Sequence, residues 1–171
     1  GVDVSLVGQG KIGKDFTIEL LAGYTYILPQ AVNPRNVFAT DSTPYEMTYI
    51  NTSTDTTDNI LKYRFKHLAK ADVQLTYKKI SIGGSWRYYS FMQNIDYTFY
   101  LLQPILPTGI EKYRKEHTKG SHLFDARIGY QVAKKIKAAF VVNNLLNLSY
   151  SLRPLKIESP RTFALQVSVK L

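Results

Sequence analysis

Pro160-Arg161-Thr162-Phe163-Ala164-Leu165-Gln166-Val167-Ser168-Val169-Lys170-Leu171 is the stretch whose reading decides the fold. Phe163, Leu165, Val167, Val169 and Leu171 fall on one side of an extended chain. Thr162, Ala164, Gln166, Ser168 and Lys170 fall on the other. Strict alternation places two chemically different faces on one strand. The same pattern runs back through the chain. Asp125, Arg127, Gly129 and Gln131 alternate with Phe124, Ala126, Ile128, Tyr130 and Val132. Lys137, Ala139, Val141 and Asn143 alternate with Ile136, Ala138, Phe140 and Val142. Lys70, Asp72, Gln74 and Thr76 alternate with Ala69, Ala71, Val73, Leu75 and Tyr77.

Seven strands are predicted, at 2–10, 14–27, 62–77, 79–92, 121–132, 136–149 and 160–171. In their cores one face carries no charge. The other carries Asp3, Glu19, Lys70, Asp72, Arg87, Asp125, Arg127, Lys137 and Lys170. Connections alternate in length. Short turns lie at Gly10–Lys14, Lys78-Lys79 and Ala133–Lys135, and long loops cover 28–61, 93–120 and 150–159. Short turns at one end and long loops at the other are the signature of outer-membrane barrels. That arrangement predicts a periplasmic C-terminus.

Alternation alone also fits a soluble sandwich, whose apolar face turns inward. Three features favour the membrane. The polar faces are long and mix charges with small residues, as beside a wet or plugged lumen. Aromatics gather near strand ends: Tyr24, Tyr26, Tyr77, Trp86, Tyr88, Tyr89, Phe91 and Tyr150. Such rings favour the headgroup level. The strands are also longer than the roughly 5–6 residues usual in soluble sheets.

Composition narrows the classes further. The 171 residues contain 13 Tyr and 8 Phe, which suit strands, and no Cys, which removes disulfides and thiolate sites. The chain opens Gly1-Val2-Asp3, without a signal peptide. A net charge of +9 invites a nucleic-acid reading, but Lys and Arg are dispersed over turns and alternating strand positions. No RRM, KH or zinc-finger motif is present, and no nucleic-acid partner is expected. His67, His117 and His122 are scattered, and no HExxH, GxSxG, P-loop or Rossmann pattern appears, so no enzyme, cofactor or metal site is expected.

The C-terminal third carries a resemblance to a known family. Phe124-Asp125-Ala126-Arg127-Ile128-Gly129-Tyr130, then Val142-Asn143-Asn144-Leu145-Leu146-Asn147 with Tyr150, then Ser159-Pro160-Arg161-Thr162-Phe163, resemble the end of TonB-dependent outer-membrane receptors, Bacteroidetes-type ones in particular. Leu21–Tyr26, Tyr63–His67 and Arg87–Ser90 are similar to that family's earlier hairpins. The resemblance implies an all-β antiparallel barrel of about 22 strands around an N-terminal plug. It implies TonB-dependent import of a scarce substrate: siderophore, haem, cobalamin, glycan or peptide. Residues 1–171 are then expected to be a C-terminal wall segment, with plug, TonB box and earlier strands elsewhere. Expected partners are that plug and the remaining strands, TonB, outer-membrane lipid and lipopolysaccharide, and a surface lipoprotein. Leu171 stands where the family usually ends in Phe. The competing readings are a smaller barrel acting as adhesin or enzyme scaffold, and a soluble β-protein that binds acidic partners.

Individual residues carry further expectations. Asn94, Asp96, Tyr97, Phe99 and Tyr100 form an aromatic-rich external segment suited to ligand capture or to loop packing. Thr108-Gly109-Ile110-Glu111 has capping-box spacing and predicts a helix over 110–119. Its Lys112, Arg114, Lys115, His117 and Lys119 would face lipopolysaccharide phosphates or merely water. Thr52–Asp58 is oxygen-rich but lacks EF-hand spacing, which favours a mobile polar loop over a calcium site. Asp41-Ser42-Thr43 and Asp55-Thr56-Thr57 weakly resemble O-glycosylation acceptors. Asn143 and Asn144 suit a turn cap, and Arg161 a luminal ion pair. The luminal charges Asp3, Glu19, Lys70, Asp72, Arg87, Asp125, Arg127 and Lys137 are read as structural ion-pairing groups that face the plug, not as catalytic acids.

Overall fold

The computed structural model describes residues 1–40 and 45–170; Asp41-Ser42-Thr43 and Leu171 lie outside the described residues. Seven long strands form one antiparallel sheet: β1 (Val2–Ile12), β2 (Phe16–Tyr26), β5 (His67–Tyr77), β6 (Ile80–Tyr89), β7 (Ser121–Ala133), β8 (Ile136–Asn143) and β9 (Thr162–Val169). Their spatial order follows the chain, so β1 and β9 are the two edges. A small hairpin, β3 (Val37–Thr40) with β4 (Glu46–Thr48), lies in the first long loop, as does the one-turn helix α1 (Tyr49–Thr52). The second long loop holds α2 (Thr98–Leu101) and α3 (Ile110–Glu116).

The predicted strands are all present; the first and fifth run on to Ile12 and Ala133, and the other five are shorter than expected. The third begins at His67 rather than 62, because Tyr63 turns the chain at φ +61°. The sixth ends at Asn143, because Asn144 takes φ +51°. The hairpin β3–β4 and helices α1 and α2 have no counterpart among the predicted elements. Helix α3 ends at Glu116, and its N-cap is Gly109 at φ +69° with no side-chain cap bond, so the Thr108/Glu111 capping box does not form. A box forms instead at α1, where Asn51 N–H donates to Thr48 Oγ1 and Thr48 N–H donates to Asn51 Oδ1.

Register makes the two faces continuous. Ile18, Leu75, Ile82, Ile128, Phe140 and Leu165 are successive cross-strand partners and form one row. Ile82 is 56%, Ile128 51% and Leu165 76% exposed. No second sheet covers this row among the described residues. A soluble sandwich would bury it; an uncovered apolar face of this extent needs hydrocarbon against it.

Aromatic rows bound the apolar band. Phe16, Tyr77 and Tyr130 lie at the short-turn end, and Tyr24, Tyr26, Trp86 and Tyr88 at the long-loop end. Eight residues separate Tyr77 from Ala69, the partner of Tyr24 and Tyr88. That is roughly 27 Å along the strand, or about 20 Å of depth at a tilt near 40°. His67 and His122 join the upper row, against Tyr26 at 5.1 Å and Tyr88 at 4.6 Å between ring centres.

The buried apolar side chains sit mainly in the loops. Tyr49, Ile60, Met92, Ile95, Ile110 and Tyr150 are loop residues, and Leu123 is the sole strand member of that set among the described residues. Met92, Ile95 and Ile110 pack together with Phe65, Phe99 and Tyr100 against them. The sheet therefore gains little burial from its own faces, while the long loops build a small core of their own.

Candidate functional site: the charged sheet face and the loops at its end

Asp3, Glu19, Lys70, Asp72, Arg87, Asp125, Arg127 and Lys137 all lie on the polar face, at alternate strand positions opposite the apolar row. Their partners are set across strands. Arg127 on β7 binds Asp72 on β5 with two hydrogen bonds, of 2.7 and 2.8 Å, and also donates to Gln74 at 3.2 Å. It spans the intervening β6 because Gly83 stands opposite it; a Cβ there would lie 2.6 Å from the guanidinium carbon. Lys137 beside Gly129 and Lys70 beside Gly23 repeat the arrangement less tightly. Gln74 continues the ladder to Glu19 at 3.3 Å, and Thr25 donates to Asp3 at 2.8 Å.

A second pair ties the face to the loop end. Arg87 meets Asp125 at 2.9 Å, and Ser85 donates to the same oxygen at 3.2 Å. The other Asp125 oxygen accepts the Asn144 backbone N–H at 2.8 Å. Asn144 is 4% exposed. Its amide donates to the Leu148 and Ser159 carbonyls and accepts from Leu148 N–H. Asn147 accepts from Arg161 N–H at 2.8 Å, and Asn143 donates to Thr162. Asn144 is thus the turn cap that was predicted, whereas Asn143 ends β8 and bonds its cross-strand partner. Arg161 contributes its backbone; its side chain forms no ion pair among the described residues.

The expected ligand segment has a more structural geometry than its composition suggests. Asn94 is 0% exposed. Its amide donates to Tyr49 Oη, Ser53 Oγ and the Ile60 carbonyl, and its oxygen accepts from Thr54 and Asp55 N–H. Asp96 pairs with Lys62 at 3.1 Å and caps Thr98. Phe99 and Tyr100 are half-buried against the loop core. Tyr97 is exposed, edge-on to Tyr100.

These contacts lock the two long loops together, and they correct the reading of Thr52–Asp58 as a mobile polar loop. Thr54 N–H and Oγ1 both bond to the Ile95 carbonyl, and Gln93 donates to Asp55. Asp55 and Asp96 illustrate the electrostatics. Desolvation opposes the charge of each. It is outweighed at Asp55 by hydrogen bonds from Thr57 and Gln93 with the Lys66 charge, and at Asp96 by bonds from Thr98 and Lys62. Both carboxyls stay below their ordinary value of 3.8. Burial pushes the Tyr49 hydroxyl above its ordinary value, and it stays a donor to the Ile60 carbonyl.

The basic cluster on α3 divides. Lys112 and Lys115 point to water and pair with Glu116 and Glu111 along the helix. Arg114 turns inward, 4.8 Å from the Phe91 ring centre, and donates to the Gln93 carbonyl and Tyr100 Oη. Beneath it lies a cavity of about 460 Å³ between the ends of β6 and β7, α3 and residues 151–157. The sequence reading did not single out this cavity, although Arg153-Pro154-Leu155-Lys156, a Pro turn flanked by two cations, was a visible signal.

An open antiparallel wall with one uncovered apolar face, an ion-paired opposite face and loops at one end defines an integral outer-membrane β-barrel protein. The family model described as "TonB dependent receptor-like, beta-barrel" matches residues 1–145, and the chain belongs to that family. The family acts in TonB-dependent transport across the bacterial outer membrane, as receptors and transporters and not as enzymes, working with a plug and with TonB. A search of the curated proteins found none that matches.

Proposed function

We propose that this chain is the C-terminal wall of an importer for a scarce nutrient, its polar face turned to the lumen and plug and its long loops outside the cell. The ion-paired ladder Glu19–Gln74–Arg127–Asp72 carries the reading. A face of paired, partly solvated charges suits a plugged lumen, while the opposite apolar row suits lipid. The short turns then face the periplasm, and the lipid-facing rim meets lipopolysaccharide. A siderophore, haem, cobalamin, glycan or peptide is the cargo class, Tyr97 offers an exposed contact in the loops, and a surface lipoprotein is a further partner at the loop end.

Single-cysteine variants of the full-length receptor in intact cells test this, made in a background with any cysteine outside these 171 residues replaced, since residues 1–171 contain none. A membrane-impermeant maleimide is expected to label Val32→Cys, in the first long loop and 90% exposed, and to spare Lys78→Cys in a short turn. Gln74→Cys is expected to crosslink to the plug through a short bifunctional reagent, while its strand neighbour Leu75→Cys reacts only with a lipid-soluble one. The opposite labelling pattern overturns the orientation, and crosslinking from Leu75→Cys alone overturns the luminal face.

A further inference from the structure

The cavity beneath α3 joins apolar walls to a cationic rim. At about 460 Å³ it lies within the size range of small-molecule pockets. Its walls are largely apolar: Phe65, Phe91, Met92, Ile110, Leu155 and Ile157 line it. Arg114, Arg153 and Lys156 supply its charge, and no Asp or Glu lines it among the described residues. It opens where the polar face ends, since Tyr89 and Ser121, the last cross-strand partners of β6 and β7 on that face, form part of its floor.

The two outer cations are brought together by the backbone. Arg153 and Lys156 form an isolated antiparallel bridge, and Lys156 N–H donates to the Arg153 carbonyl at 3.3 Å. Pro154 and Leu155 make the corner between them, and Leu155 takes φ +61°. Pro at the second position and positive φ at the third is the type II pattern, in which Gly or Asn normally holds the third place. A leucine there is strained, and like charges across a bridge repel. Neither cost helps the fold. Lys156 is partly balanced by Glu158 at 2.9 Å, whereas Arg153 is exposed and has no ion-pair partner among the described residues. The strained corner places the Leu155 side chain on the apolar wall while holding both cations at its rim.

We propose that this cavity binds a carboxylate carried on an apolar body, the body against Phe91, Met92 and Leu155 and the carboxylate between Arg153 and Lys156, with Arg114 behind. This deepens the importer reading by naming the cargo chemistry, and it disfavours a neutral glycan at this position. A peptide C-terminus and a free aryl acid share the chemistry.

Calorimetry on the full-length receptor in detergent tests it, with N-acetyl-Phe-Phe, its C-terminal amide and 2-naphthylacetate as probes. The acid is expected to bind at least tenfold more tightly than the amide. Tighter binding of the dipeptide acid than of naphthylacetate assigns a peptide end, and the reverse assigns a free aryl acid. The exposed pair change Arg153→Gln/Lys156→Gln should abolish the preference for acid over amide. Leu155→Gly keeps the turn and both charges, and should weaken acid and amide alike by about fivefold. Equal binding of acid and amide, a preference that survives the pair change, or no binding of any probe overturns the proposal. The cysteine labelling above is independent of these probes, so failure here and failure of the importer orientation are distinguishable.

Discussion

Asn144 concentrates several tasks in one side chain. It turns the chain at φ +51°, bonds three backbone groups through its amide and anchors to Asp125 through its N–H. Asn is among the few non-glycine residues that tolerate that conformation. Asn144→Ala keeps the strained φ and removes the partner of three part-buried backbone groups, so a loss of about 2 kcal/mol is expected in urea unfolding of the lipid-reconstituted receptor. Gly83 acts by absence. With a Cβ at that position Arg127 must move off Asp72. In a double-mutant cycle, Asp72→Asn should therefore cost less in a Gly83→Val background than in the wild type, by about 1 kcal/mol. Equal costs in both backgrounds would show that the pair does not depend on the gap over β6.

The long loops behave as one element because Asn94, Asp55 and Asp96 bind them together. Both carboxyls titrate below 3.8 in the folded loops. With folded values depressed, the stabilisation is fully present above the ordinary, unfolded value and is lost as pH falls from there through the folded values. Hydrogen exchange at residues 52–58 and 93–97 should thus be constant from neutral pH down to about 4.5 after correction for intrinsic rate, and rise below the ordinary carboxylate value. The strands should stay protected over the same range. Gly120 sets the return from α3 into β7 at φ +80°, with the Tyr89 carbonyl too close for any Cβ. Gly120→Ala is expected to cost about 2 kcal/mol or more and to loosen α3 first, seen as faster proteolysis after Arg114 and Lys115.

At the scale of the whole molecule, stability is divided between a hydrogen-bonded wall that depends on lipid and a loop assembly with its own core. The apolar row from Ile18 to Leu165 meets hydrocarbon, so a charge at its centre is penalised by depth. Ile128→Arg should destabilise the receptor in bilayers by about 2–4 kcal/mol. The change Thr76→Arg, at a half-buried position on the polar face, should cost about 1 kcal/mol or less, because its charge meets water and not hydrocarbon. Comparable costs for the two variants would contradict the assignment of the faces. The edges β1 and β9 leave backbone groups unpaired within this sheet, and hydrocarbon cannot satisfy such groups.

Seven strands, their two faces and the unequal connections were legible in the sequence, because a strand's period of two is local. Each residue's side follows from its neighbours alone, as in Phe163 to Val169. The turn at Asn144 was legible for the same reason. Tertiary structure decided the rest. Arg127 pairs with Asp72, 55 residues away and two strands over, through a gap that Gly83 leaves. Asn94 reads as a contact residue in a polar aromatic loop, yet it is buried by residues 49–60, which only the folded loops bring to it. The cationic pocket joins β6, α3 and the turn at 153–156. Alternation is a property of consecutive residues; partners, burial and cavities depend on which distant segments meet, and that is set by register and loop closure.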